Sequence, residues 1–328
     1  MKKLIAIALS LMLAMSLLAG CAQSGGEDAY PSKPISWIVP VAAGTGTDLV
    51  TRQVVDQLDL GVTISVENVV GGAQTIGTND ALSRGADGYT LLSIANAGLI
   101  SQPLLNPDIG YSLDDLEIIA MLTPDCMPTI TVSNDSEIKS VEDWINFVTT
   151  TEEFSYGIPS SGGYGHLTML YVFEQLGVKG GKAIQYDGNN GSYQALLNGE
   201  VSFCIADDNF IFPYVEQGAC NTLVCVSNVS SAYLPTVPNM SDRGWDGLDA
   251  LAGWKILCVH ADTPDDVVEY LKEKVFEVLN SETFAEFLVN GGYGSWPEGT
   301  APSSEDTLAR VKQAYTLYDQ ILTSAGLK

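Results

Sequence analysis

The stretch "PISWIVPVAAGTGTDLVTRQVVDQL" (34–58) reads as a strand, a loop of small residues and a helix, in that order. The apolar run "ISWIVPV" is the strand, and Val50, Val54 and Leu58, at i, i+4 and i+8, mark a helix over 47–59. Between them lie Gly44, Thr45, Gly46, Thr47 and Asp48. A Walker phosphate loop needs Gly-x-x-x-x-Gly-Lys-Ser/Thr, which occurs nowhere in the chain. A dinucleotide fingerprint needs a third glycine, and Leu49 stands three positions after Gly46. No nucleotide and no other cofactor is therefore expected. Two readings of the loop stay open. Free N–H groups at a helix start carry the positive end of the helix dipole and can grip an anion without an arginine. Thr45 and Asp48, three apart, also fit a capping box that only closes the helix.

The same alternation extends along the chain. "VTISVEN" (62–68) and "GYTLLSIA" (88–95) are further strands, separated by the glycine loop "VVGGAQTIG" and a short helix through Ala81 and Leu82. A second series begins with the helix "KSVEDWINFVTT" (139–150) and the strand "FSYGIPS" (154–160). It runs on through "VSFCIADDN" (201–209), a helix stopped at Gly218, and "CNTLVCVS" (220–227). The tail returns to a strand, "WKILCVHA" (254–261), followed by helices opened by Thr263-Pro264 and by Ser281, and a long one from about Ser304 to Ala325. Strands alternating with helices predict an α/β fold with mainly parallel sheets. Two series and a returning tail predict two domains, 30–132 plus 254–328 and 133–253, with the chain crossing near 130–135 and 250–256. Open sheets of this kind bind ligands beyond the carboxyl ends of their strands. Those ends carry the small-polar loops 43–48, 70–77, 95–98, 159–165, 187–192 and 206–209.

The N-terminus sets the compartment. Lys2 and Lys3 precede an apolar run to Leu18, and Leu18-Ala19-Gly20-Cys21 resembles a bacterial lipobox. Residues 1–20 then form a signal peptide, Cys21 carries lipid, and 21–29 tether the protein to the outer face of the membrane. An apolar share of 46% supports filled cores. A formal charge of −25 with four arginines excludes nucleic acid, whose phosphates require neutralising Lys and Arg. Cys204, Cys225 and Cys258 lie in apolar runs and read as small buried hydrophobes, with disulfides the alternative.

The order of motifs resembles the solute-binding proteins of tripartite tricarboxylate transporters, the Bug or TctC family. The likeness runs through "YPSKPISWIVPVAAGTGTD" (30–48), "ENVVGGAQTIGTNDALSRGADGYTLL" (67–92), "YGIPSSGGYGHL" (156–167), "YDGNNGSYQALLNGEV" (186–201) and "YLPTVPNMSDRGW" (233–245). It implies a two-domain periplasmic-binding-protein (Venus flytrap) fold that captures a small carboxylate in its cleft and delivers it to membrane permease subunits. The first loop implies Gly44, Thr45, Gly46, Thr47 and Asp48 as ligand contacts, although the family's aromatic and two prolines are absent there. Its partner loop implies Ser160, Ser161, Gly162, Tyr164 and His166. The remaining implied contacts are Gly72, Gln74, Asn96, Ala97, Tyr186, Asn189, and Asp207 or Asp208. Asp187 stands where the family has a lysine. A monomer is expected.

Rival readings attach to single residues. His166 with Ser160 or Ser161 could make a hydrolase, but no Gly-x-Ser-x-Gly elbow is present, and a locally bonded helix-start histidine is the simpler role. Asp207, Asp208 and Asn209 lack the spacing of a calcium loop, so no metal is expected. An acid at the cleft would favour an amino or hydroxy acid over a bare polycarboxylate. A sensory lipoprotein of the same fold is the other alternative to a transport receptor.

Overall fold

In the computed structural model, residues 30–245 and 247–328 are described. The signal segment, the tether and Cys21 lie outside them. Strands β1 (Ile35–Val39), β2 (Ile64–Asn68) and β3 (Thr90–Ala95) run parallel, with β1 central and Ile35 opposite Ile64. Helices α1 (Gly46–Gln57) and α2 (Thr75–Ser83) connect them. After a short helix, α3 (Gln102–Leu105), β4 (Leu116–Met121) joins the same sheet without touching β3. The strand between them is β10 (Lys255–His260), which arrives from the far end of the chain and is antiparallel to both.

The second sheet repeats this plan. Its order is β7 (Gly181–Gln185), β6 (Phe154–Ile158), β8 (Phe203–Asp207), β5 (Pro128–Ser133), β9 (Cys220–Cys225). Here β5 is the antiparallel member, paired with β8 and β9, while β6 is parallel to both its neighbours. The helices of this lobe are α4 (Val141–Thr150), α5 (Tyr164–Leu176), α6 (Gly188–Leu197) and α7 (Asp208–Glu216). The tail adds α8 (Asp265–Leu279), α9 (Glu282–Asn290) and α10 (Ser304–Ser324). Four strands in each sheet point one way, and the fifth, entering from the other lobe, opposes them. Because β4 lies in one sheet and β5 in the other, the first passage falls at 122–127, ahead of the expected 130–135. The return falls between Cys225 and Lys255.

Periodicity and caps account for most element ends. Ser140, Ser281 and Ser303 each accept the N–H three residues on, closing α4, α9 and α10. Gly218, at φ +67°, follows the end of α7 as the expected left-handed stop. Trp37, Trp144 and Trp254 are fully buried, and Trp144 stands edge-on to Phe203 with centroids 5.6 Å apart. The five cysteines of the described residues are all buried and free, as apolar side chains would be.

The two passages pair with each other. Cys126 and Gly253 exchange both backbone N–H···O bonds at 2.8 Å, and Leu122 N–H reaches Lys255 O at 2.7 Å. Arg310 of α10 binds both carboxylate oxygens of Asp125, at 2.8 and 2.7 Å. The Asn96 amide donates to Ala252 O and Tyr318 Oη and accepts from Trp254 N–H at 2.9 Å. A two-stranded hinge is thus fastened to the first lobe at both segments.

Candidate functional site

Between the lobes lies a cavity of about 240 Å³. Its walls come from the carboxyl ends of β3 and β8, the starts of α5 and α6, and the hinge. This follows from the topology, since parallel strands in both sheets end at the seam. The sequence-derived residues Gln74, Asn96, Ala97, Ser160, Tyr164, His166, Asn189 and Asp207 line it. Gly44, Thr45, Gly46, Thr47, Asp48, Gly72, Ser161, Gly162, Tyr186 and Asp208 are not among its lining residues.

The opening loop stands behind the cavity wall. A Cβ added to Gly46 would lie 3.3 Å from Lys255 Cε and 3.3 Å from Tyr293 Oη, so these two side chains stand against it. The capping box, one of the two readings left open for this loop, does not form. Thr45 Oγ1 donates back to Ala42 O at 2.8 Å, and the Asp48 carboxylate reaches Gly44 N–H at 2.8 Å instead. No side chain therefore caps α1. Asp48 also takes bonds from Arg52 and Asn68, which makes it a clamp on its own loop. Burial alone would raise its pKa, but those hydrogen bonds hold the carboxyl below its ordinary value. A buried relay fixes the helix from below. Trp37 Nε1–H donates to Ser93 Oγ, Thr51 donates to Thr47 O, and Ser93 is left to donate to Thr51 at 2.6 Å.

Other expected contacts have identifiable structural duties. Asn96 lines the cavity, yet its amide is spent on the hinge. Tyr186 directs its hydroxyl to Glu200 at 3.2 Å, away from the cleft. Gly72, at φ +55°, shapes the turn before α2, where a Cβ would strike Thr75 Oγ1 at 2.2 Å. Ser161 is exposed, and Gly162 meets the other lobe, with an added Cβ only 3.0 Å from Leu105. Asp208 is buried and accepts from Met127 N–H, Asn209 N–H and Ser231 Oγ. It anchors the start of β5 and leaves Asp207 as the acid in the cavity wall.

The donors at the cavity come from several sources. Gln74, a non-glycine residue at φ +83°, holds Ala95 N–H through Oε1 at 2.9 Å. His166 Nδ1 accepts from Gly162 N–H at 3.1 Å, so the neutral ring carries its proton on Nε2. Burial lowers its pKa and keeps it neutral. The hydrolase reading finds no support in this geometry, since Ser160 Oγ reaches Ser161 O at 3.5 Å rather than the imidazole. No side chain caps the first turn of α5 or of α6, so both helix starts present backbone amides at the cavity edge. Tyr164 donates its hydroxyl to Asp207 Oδ1. Burial, then the Asp207 charge, push the Tyr164 pKa well above its usual value and keep it a donor.

Sequence reasoning missed the cation. Lys255 lines the cavity and forms no ion pair among the described residues; its ammonium stands 5.1 Å from the centre of the Tyr293 ring. It heads β10, and because that strand runs antiparallel, its first residue pairs with Ala95, the last of β3. Attention to strand ends alone passes over a strand start. The lysine opening "KILCVH" after the return from the second lobe was the available signal. Trp254 beside it also lines the cavity, with a buried indole N–H that has no acceptor among the described residues.

Comparison with known proteins gives consistent results. The profile of the family described as tripartite tricarboxylate transporter family receptor matches residues 50–324. A curated protein from the gbd 5′ region of Cupriavidus necator is 32% identical over 233 residues, 69% of each chain. MatC from Rhodopseudomonas palustris with bound malate superposes with TM-score 0.73 at 20% identity, covering 89% of this chain and 100% of that one. A second R. palustris protein, with adipate, gives 0.76 at 22% identity, covering 90% and 98%. At such identities the two structures establish the fold, a two-lobed periplasmic solute-binding fold.

Proposed function

Since the chain belongs to the tripartite tricarboxylate transporter receptor family, we propose that it captures a small carboxylate-bearing solute between its lobes and delivers it to the membrane subunits of such a transporter. The observation that carries this reading is Lys255, a cationic residue lining the cavity between the lobes that forms no ion pair among the described residues. Leaving such a charge half-buried and unpaired is costly, and an anionic solute removes the cost. Uncapped helix starts add backbone donors suited to carboxylate oxygens. The relatives' malate and adipate are solutes of this class.

The mechanism is lobe closure about the paired hinge, with the solute bridging both sides and favouring the shut state. Contacts across the cleft support this. A Cβ at Gly292 would sit 3.6 Å from Asn209, and Gly162 meets Leu105 on the opposite rim. No bond of the solute is broken, and the protein acts as a receptor rather than an enzyme. The acidic surface does not prevent anion binding, because distant carboxylates are screened over about 8 Å at physiological salt. A lipid on Cys21 would keep the monomer at the outer face of the membrane beside its permease.

The test is to denature the purified chain without residues 1–21, identify the released solute by mass spectrometry, and add it back. A carboxylate recovered at one per chain, which rebinds and raises the melting temperature, is expected. Recovery of a solute without a carboxylate group that rebinds would overturn the carboxylate reading.

A further inference from the structure

The cavity contains one fixed charge of each sign among its described lining residues, and they are not paired with each other. Lys255 enters from the first sheet and Asp207 from the end of β8 in the second. No ion pair joins them, and their separate strands keep them on opposite lobes. Both act on the Cys126 thiol in the hinge wall. Burial dominates there and pushes its pKa up to about 12, Lys255 pulls it down, and Asp207 pushes it further up. Tyr164 occupies Oδ1 of Asp207, while Oδ2 has no protein donor among the described residues. The main-chain N–H of Asp207 is held by Asn189 Oδ1 at 3.4 Å, which fixes the carboxylate at the cavity wall.

We propose that the site is built for a solute carrying both signs: a small amino acid, its carboxylate on the Lys255 ammonium and its ammonium on the free oxygen of Asp207. This deepens the proposed function and rests on it. A bare dicarboxylate satisfies Lys255 but brings its second charge into a cavity that already holds Asp207, where repulsion in a low-dielectric space opposes it. A zwitterion pairs both fixed charges and adds none. The volume of about 240 Å³ lies below the roughly 300–1,000 Å³ of drug-sized sites, which favours a small solute. The two charges also sit on different lobes, so such a solute draws the lobes together and specificity and closure share one pair of contacts.

The experiment is calorimetric titration of the mature chain with matched sets: an α-amino acid, its N-acetyl derivative, its 2-hydroxy analogue, and the unsubstituted mono- and dicarboxylates. In the unsubstituted protein the amino acid is expected to bind at least about tenfold tighter than any matched partner, the scale of a charge-assisted hydrogen bond. Asp207→Asn keeps an acceptor for Tyr164 and should erase that advantage, so that the amino acid binds no tighter than its matched partners. Lys255→Met should weaken every carboxylate by tenfold or more. Carboxylates that bind with no preference for an amino group, or a preference that survives Asp207→Asn, would overturn this inference alone. Failure of the whole panel, amino acids included, would overturn the carboxylate reading beneath it as well. The ligand series on the unsubstituted protein decides the matter even where a variant does not fold.

Discussion

Asp207 and Asp208 are neighbours in sequence with opposite duties. Asp207 ends β8 at the cavity, while Asp208 turns inward and ties Met127 N–H and Ser231 Oγ to the start of α7. Burial is the largest influence on Asp208 and moves its pKa up to about 6, against the pull of those hydrogen bonds. The folded state therefore holds the proton more tightly than the unfolded chain. Stability from this group is greatest below about pH 4 and declines as the pH rises through about 6. Asp208→Asn removes this dependence. Its unfolding free energy relative to the parent should improve between pH 4 and pH 8 by on the order of 2–3 kcal/mol, at 1.36 kcal/mol per pKa unit. Urea unfolding at both pH values checks it, and a difference that does not vary with pH would contradict the assignment. Nothing in "ADDNF" distinguishes the two aspartates, because which one faces the cleft depends on where β8 ends and α7 begins.

At the scale of elements, the apolar periods, serine caps and glycine stops were legible because they are local. Ser140, Ser281, Ser303 and Gly218 each act within a few residues of themselves. The start of α1 was harder, because Thr45 and Asp48 have the right spacing for a capping box but other partners nearby. Ala42 O takes the Thr45 hydroxyl, and Arg52 and Asn68 draw Asp48 toward Gly44. A contrast follows. Ser140→Ala and Ser281→Ala should each lower stability by about 1 kcal/mol, as loss of a side-chain cap does, whereas Thr45→Ala should stay within a few tenths. Equilibrium denaturation of the three variants measures this, and an equal loss in Thr45→Ala would show that its hydroxyl caps the helix in solution. Lys255 was not legible at this scale either. Its place at the seam depends on β10 running against its neighbours, a long-range pairing that composition and period do not encode.

At the scale of the molecule, the hinge links the site to the fold. Gly253 pairs with Cys126 and lies under the Tyr164 ring, where an added Cβ would approach within 2.4 Å. Gly253→Ala should then cost roughly 1–3 kcal/mol, as overpacking does, and Tyr164→Ala in the same chain should recover much of the loss. Additive losses in the melting temperatures of the single and double variants would contradict this contact. Two lobes, a twice-crossed chain and a cleft at the strand ends could be read from the alternation of elements and the order of motifs. The distribution of charge inside the cleft could not, because Lys255 and Asp207 meet only once both sheets are assembled. The central claim is that a solute carboxylate is held between the lobes on Lys255. A crystal structure with the co-purified solute tests it most directly. The account predicts a carboxylate oxygen within hydrogen-bond distance, below about 3.2 Å, of Lys255 Nζ. A solute seated in this cavity with no anionic group at Lys255, or bound elsewhere, would contradict it.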